Sequence, residues 1–178
     1  MKAALRALPA TLVAVAALLA PSAAAGAPAS ASFTIAGYEY AFTSTAGSFA
    51  GRGSGNAGET AVWNAYVEHD RLGSNPTYVD GGSFAMATTT PSGALDFVRG
   101  TFAYHGGTIT TLNAGANCTN QQYRVSDGLE NVRTSTTSGG SGSFAVTLTH
   151  YRYSLFGHCV IYKARVSGPS ASATKARS

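Results

Sequence analysis

SFAVTLTHYRY, residues 143–153, alternates from end to end. Drawn as an extended chain, it puts Phe144, Val146, Leu148, His150 and Arg152 on one face and Ala145, Thr147, Thr149, Tyr151 and Tyr153 on the other. An apolar row backed by a hydroxyl-rich one marks a strand with one face in a core and the other in water. The same period places Trp63, Ala65, Val67 and His69 together in AVWNAYVEHD (61–70), and Val160, Tyr162, Ala164 and Val166 together in the closing strand. In FTIAGYEYAF (33–42) the apolar phase passes from Phe33 and Ile35 to Tyr38, Tyr40 and Phe42, which predicts a bulge or bend at Gly37. After residue 31 no apolar set recurs at helical spacing over three turns, so the chain reads as all-β.

Strands are expected near 32–43, 60–69, 78–89, 94–104, 107–112, 120–126, 129–136, 141–154 and 158–167. The Gly-rich breaks GRGSGNAG, LGSNP, TPSG, HGG, NAGAN, SDG and SGGSG separate them. Eight or nine short strands with tight turns and no helix predict an antiparallel eight- or nine-stranded barrel in preference to a β-sandwich. One tetrapeptide returns through these strands, GSFA at 47–50, 82–85 and 142–145 and GTFA at 100–103. Its unequal spacing excludes a periodic repeat. In each copy the glycine is expected to end a turn or permit a bulge, and the phenylalanine to be the core anchor of a strand starting there. The stretch LDFVRGTFAYHGGTIT (95–110) resembles the small secreted barrels of the allene-oxide-cyclase and dirigent type, calycin-like in architecture. The resemblance covers one hairpin, implies a barrel around an apolar cavity, and carries no catalytic residue.

Lys2 and Arg6 precede an apolar run from Ala10 to Ala20 and then small residues. This is the layout of a secretory signal peptide over 1–31, with cleavage after Ala25, Ala29 or Ala31. A single β domain is expected over 32–168 and a flexible C-terminal tail over 169–178. The net charge of +4 shrinks once Lys2, Arg6, Lys175 and Arg177 are assigned to the two ends, since eight basic residues then face eight acidic ones. A near-neutral body lacks the basic stripe that nucleic acid requires, and no later stretch is long and apolar enough for a bilayer. The chain reads as secreted, with a small molecule as its partner and no engagement of nucleic acid or membrane.

Cys118 and Cys159 are the only cysteines, and in an exported chain they predict one disulfide. That pairing removes the thiolate that a metal site at His150, His158 and Cys159 would need. Gly53, Gly55 and Gly58 match a dinucleotide-loop spacing without the helix such a loop must open, so GSGNAG reads as a plain loop. No nucleophile elbow, H-x-x-x-H or C-x-x-C spacing occurs, and neither metal nor cofactor is implied. What stands out is His69 and His150, each closing an apolar row at the inner end of a strand, with Glu39 or Glu68 to orient an imidazole for proton transfer. The aromatic residues, Tyr38, Tyr40, Trp63, Tyr151, Tyr153 and Tyr162 among them, suit a ligand cavity, a sugar platform or ordinary packing.

The function these features predict is a secreted binding protein that holds a small apolar or aromatic molecule in the barrel mouth, using Trp63, Tyr38, Tyr40, His69 and His150. One alternative is a cyclase or isomerase in the same cavity, with His150, His69 and Glu39 as acid–base groups. The other is a structural or surface-interaction protein whose core is filled.

Overall fold

The computed structural model describes residues 30–174 apart from 75 and 137; the expected leader up to residue 29, and residues 175–178, lie outside the described residues. The strands are β1 (Ser30–Phe42), β2 (Ala46–Gly55), β3 (Thr60–His69), β4 (Thr77–Thr89), β5 (Leu95–Phe102), β6 (Thr108–Asn113), β7 (Gln121–Arg133), β8 (Gly140–Leu155) and β9 (His158–Thr174). All pair antiparallel in the order β3-β2-β1-β9-β8-β7-β5-β4, and β4 returns to β3, which closes a ring of eight strands. β5 and β6 share one position in that ring. β4 and β7 hold β5 through Ser83–Thr89 and Leu129–Arg133, and hold β6 through Thr77–Tyr78 and Gln122–Ser126. The two are one strand interrupted by a turn over 103–107, in which His105 takes a φ of 53°.

Period-two alternation fills the ring. All four phenylalanines of the recurring tetrapeptide, Phe49, Phe84, Phe102 and Phe144, are buried as core anchors. Phe144 is the hub, with ring centroids 5.3 Å from Phe102, 5.8 Å from Phe84 and 6.1 Å from Trp63. The glycine of the tetrapeptide stands near a strand start only at Gly47 and Gly142; Gly82 and Gly100 lie within β4 and β5, close to register shifts.

β2 is the strand that the hydrophobic pattern misses, because its inner row is Gly47, Phe49, Gly51, Gly53 and Gly55 and reads as a loop. The glycines are required by backbone approach. Gly51 pairs with Gly37 on β1 and with Trp63 on β3, and a Cβ on Gly51 would meet the Ala36 carbonyl oxygen at 2.0 Å. Across this bare backbone the Trp63 indole N–H donates to the carbonyls of Arg52, at 3.1 Å, and Ala36, at 3.3 Å. A buried indole thereby keeps its polar group satisfied.

β9 also runs further than expected. Residues 169–174, assigned to a flexible tail, are strand, because β1 and β8 extend equally far on either side and their backbone groups need partners there. Cys118 and Cys159 form the expected disulfide, which ties the turn after β6 to the β8–β9 hairpin. With the partners separated by 41 positions in sequence, closing that loop stabilises the fold by about 4 kcal/mol on a chain-entropy model.

SDG, expected to break the chain into two strands, instead lies inside β7. Asp127 takes an inner-row position between Val125 and Leu129, opposite Phe144, and is 5% exposed. Its Oδ1 accepts from the Gly128 N–H at 2.7 Å, while Oδ2 is buried without a hydrogen-bond partner among the described residues. Burial raises the carboxyl from 3.8 to about 6, against the Gly128 hydrogen bond and with help from nearby Glu130. The folded chain thus binds this proton more tightly than the unfolded one, so the stability that Asp127 contributes is fully present below about pH 4 and is lost as pH rises through about 6. Asp127→Asn should therefore gain stability relative to the parent as pH rises from about 4 to about 7, measured by thermal unfolding at each pH. A constant difference across that range would show that Asp127 ionises as it does in the unfolded chain.

Candidate functional site

On β1 the inner row continues from Phe33 and Ile35 through Gly37 to Glu39, so a carboxylate and not a tyrosine points into the ring. The bulge falls after Glu39, where the register with β2 shifts across Tyr40. No phase change occurs at Gly37, whose glycine serves the close approach to β2. Tyr38 and Tyr40 consequently stand on the outer face, 55% and 61% exposed.

On β8 the alternation delivers His150 to the same rim. β9 lies between β8 and β1, and the register puts Ala164 opposite His150 and next to the Tyr38–Arg165 pair. A methyl group at this position leaves room for the two side chains to meet above β9. His150 Nε2 donates to Glu39 Oε2 at 2.6 Å, with the side chains only 6% and 4% exposed. The rings of Phe42 and Tyr123 flank the imidazole, each with its centroid at 5.7 Å. Burial raises the pKa of the Tyr123 phenol; Arg152 works against the rise and Glu39 adds to it.

His69, at the end of the β3 inner row, is also buried. Its Nδ1 donates to the Asp70 carbonyl at 2.6 Å, so the neutral ring keeps its lone pair on Nε2. Glu39, His69 and His150 all line one small, partly enclosed space of about 40 Å³, together with Phe49, Tyr123 and Leu148. This is room for water and far below the roughly 300–1,000 Å³ of typical ligand sites. Outside it opens a cleft of about 500 Å³ between the β1–β2 turn, the end of β3 and the start of β4. Phe42, Thr43, Ala46 and His69 are walls of both spaces.

The cleft is polar along one side, with Glu68, Asp70, Arg71 and Asp80 in its lining. The Tyr66 phenol is held to Glu68, and that hydrogen bond is the main cause of its raised pKa. Asp70 Oδ2 accepts from the Tyr78 N–H at 3.2 Å, and Asp80 Oδ1 pairs with His105 Nε2 at 3.0 Å. Both carboxylates are thereby fixed in place.

Of the residues expected to form a site, His69, His150 and Glu39 come together at the rim. Tyr38 and Tyr40 do not join them, and Trp63 belongs to the packed centre and lines neither space. Phe42, Tyr66, Asp70 and Asp80 complete the cleft: alternation groups Phe42 with Tyr38 and Tyr40 and not with Glu39, and the other three belong to an outer row, a turn and a strand start that alternation does not join into a site. Ala164 did leave a trace, as the one small residue in the inner row of the closing strand. No group of His, Cys, Asp and Glu among the described residues is arranged to hold a metal ion.

Compared with known proteins, the chain matches no family model, no curated protein and no solved structure. The cavity implied by the resemblance to allene-oxide-cyclase-type barrels is in this chain filled by Trp63, Phe84, Phe102 and Phe144.

Proposed function

We propose that this is an exported binding protein for a small aromatic or otherwise apolar molecule, seated in the rim cleft above the His150–Glu39 pair. The signal-like leader and the disulfide support export. The inner rows are apolar and the outer rows largely polar, the reverse of a membrane-spanning barrel, which supports a life in water. The observation that carries the binding reading is the shared wall: a cleft of ligand size stands directly against a small, partly enclosed space lined by two histidines and a buried carboxylate. Phe42 and Tyr66, 54% and 41% exposed, offer ring faces to a ligand, and the fixed carboxylates orient its polar groups.

Ligand-observed NMR across a panel of aromatic and apolar small molecules should find saturable binders. Phe42→Ala/Tyr66→Ala should weaken them by about tenfold or more, since each ring contact contributes roughly 0.5–1.5 kcal/mol. A panel without binders, or affinities indifferent to both substitutions, would favour the structural role instead.

The His150–Glu39 pair supports a second reading, an isomerase or cyclase in which His69 or His150 moves a proton of a substrate held in the cleft. Its mark would be turnover of a cleft ligand that His69→Gln abolishes while affinity is retained.

A further inference from the structure

The basic and acidic residues of the body cancel in number but not in space. β1, β9 and β8 are neighbours in the ring, and the one carboxylate in all three is Glu39, which points inward to His150. Their outer rows carry the exposed cations Lys163 and Arg165. Around these two stand five tyrosines. Tyr38 is paired across the register with Arg165, and Tyr151 with Lys163, whose Nζ lies 5.4 Å from the Tyr151 ring centroid. Tyr40 lies 6.4 Å from Tyr38, and Tyr162 lies 6.4 Å from Tyr151 and 5.7 Å from Tyr153.

A bulge on β9 and the unbroken alternation of β1 build this face. Alternation assigns Tyr162 to the inner row of β9, but β9 skips it in pairing, with Lys163 opposite Tyr151 and Ile161 opposite Arg152. The bulge leaves Tyr162 62% exposed. On β1 the alternation that turns Glu39 inward leaves Tyr38 and Tyr40 outside. Neither placement serves the core. Beyond the Gln121–His150 and Tyr38–Arg165 pairs, β8 and β9 continue as a two-stranded ribbon, anchored at Cys159 by the disulfide. The tyrosines are thus presented on a braced support, and four of them are 44–62% exposed.

We propose that this face binds an acidic polysaccharide, a chain of carboxylated sugars, with tyrosine rings stacked on the sugar faces and Lys163 and Arg165 paired to the carboxylates. A phenol offers an apolar ring face with a hydroxyl at its edge, which matches a pyranose with its C–H face and polar rim. The arginine fork accepts a carboxylate in two parallel hydrogen bonds. A nucleic acid, charged at every nucleotide, calls for more cations than these two. A lipid surface calls for a cationic patch beside residues that insert, whereas the rings around Lys163 and Arg165 are all phenols and the exposed Leu155 and Phe156 stand apart from them at the hairpin tip, beyond the Ser154–Cys159 pair. The face shares no residue with the rim cleft, so its test is independent of the small-molecule reading.

The full secreted chain is titrated by calorimetry with polygalacturonate, its methyl ester, poly-glutamate, an oligothymidylate and vesicles containing phosphatidylglycerol. Polygalacturonate should bind, and the ester and poly-glutamate should bind at least tenfold more weakly. Tyr153→Ala/Tyr162→Ala should cost tenfold or more at an unchanged thermal midpoint. Lys163→Gln/Arg165→Gln, which keeps all five tyrosines but removes both cations, should weaken binding and flatten its salt dependence. Equal binding of the ester would show that charge plays no part, and equal binding of poly-glutamate that the sugar plays none. Tighter binding of oligothymidylate or vesicles would assign the face to those partners, and silence from polygalacturonate would end the proposal.

Discussion

Glu39→Ala should destabilise the protein by about 3–5 kcal/mol, the cost of stripping one partner from a buried charge-assisted pair. His150 would be left 6% exposed beside a small space that the substitution enlarges, with its Nε2 hydrogen bond lost. The informative comparison is Glu39→Met/His150→Leu, which replaces both polar groups by apolar ones of similar bulk. Buried pairs exchanged this way often leave stability unchanged or raise it by about 1–4 kcal/mol. Urea unfolding of the parent and both variants at neutral pH measures the difference. The double variant should be at least as stable as the parent and should lose the ligand response of the cleft. That pattern would mean that the pair is kept for chemistry at the rim. If the double variant falls as far as Glu39→Ala, the pair is a structural stabiliser and the site reading loses its centre.

The all-β class, the closed antiparallel sheet, the four phenylalanine anchors and the disulfide were legible because each rests on a strong local signal. Alternation in 61–70 and 143–150 set which side chains face inward, and the two rim histidines followed from it. Glu39 was visible as a candidate, but not its role as the inner-row residue. The alternation around it favours Tyr38 and Tyr40 as the apolar set, and only the neighbouring strands decide which face is inside. β2 was illegible for a related reason. A row of glycines has no hydrophobic period, and its meaning, backbone room for β1 and Trp63, belongs to the partners. Asp127 misled through composition, since Ser-Asp-Gly is turn chemistry wherever tertiary pairing does not override it. Net charge misled through averaging, because a sum over the body erases the segregation of Lys163 and Arg165 from Glu68, Asp70 and Asp80.

Phe144→Ala should cost about 3–5 kcal/mol, the range for deleting a fully buried phenylalanine. Phe144 is 1% exposed and reaches from β8 across the interior to Trp63, Phe84 and Phe102 on β3, β4 and β5. Its removal takes a contact from each of three rings at once, and strands fixed by hydrogen bonds on both sides have little freedom to collapse into the gap. Phe156→Ala is the control at equal chemistry. Phe156 is 93% exposed at the tip of the β8–β9 hairpin with a φ of 49°, so its truncation should change stability by less than about 0.5 kcal/mol. The hollow left by Phe144→Ala would be apolar, and apolar cavities of this kind stay dry and admit benzene. Benzene should therefore raise the thermal midpoint of Phe144→Ala and shift the emission of Trp63, whose ring lies 6.1 Å from the deleted one, while leaving the parent unchanged. Recovery of stability by benzene would show that the ring can enclose an apolar ligand and that the parent fills the space with its own side chains. A cost no larger than that of Phe156→Ala, or an equal benzene response in the parent, would mean that the interior is not packed around Phe144.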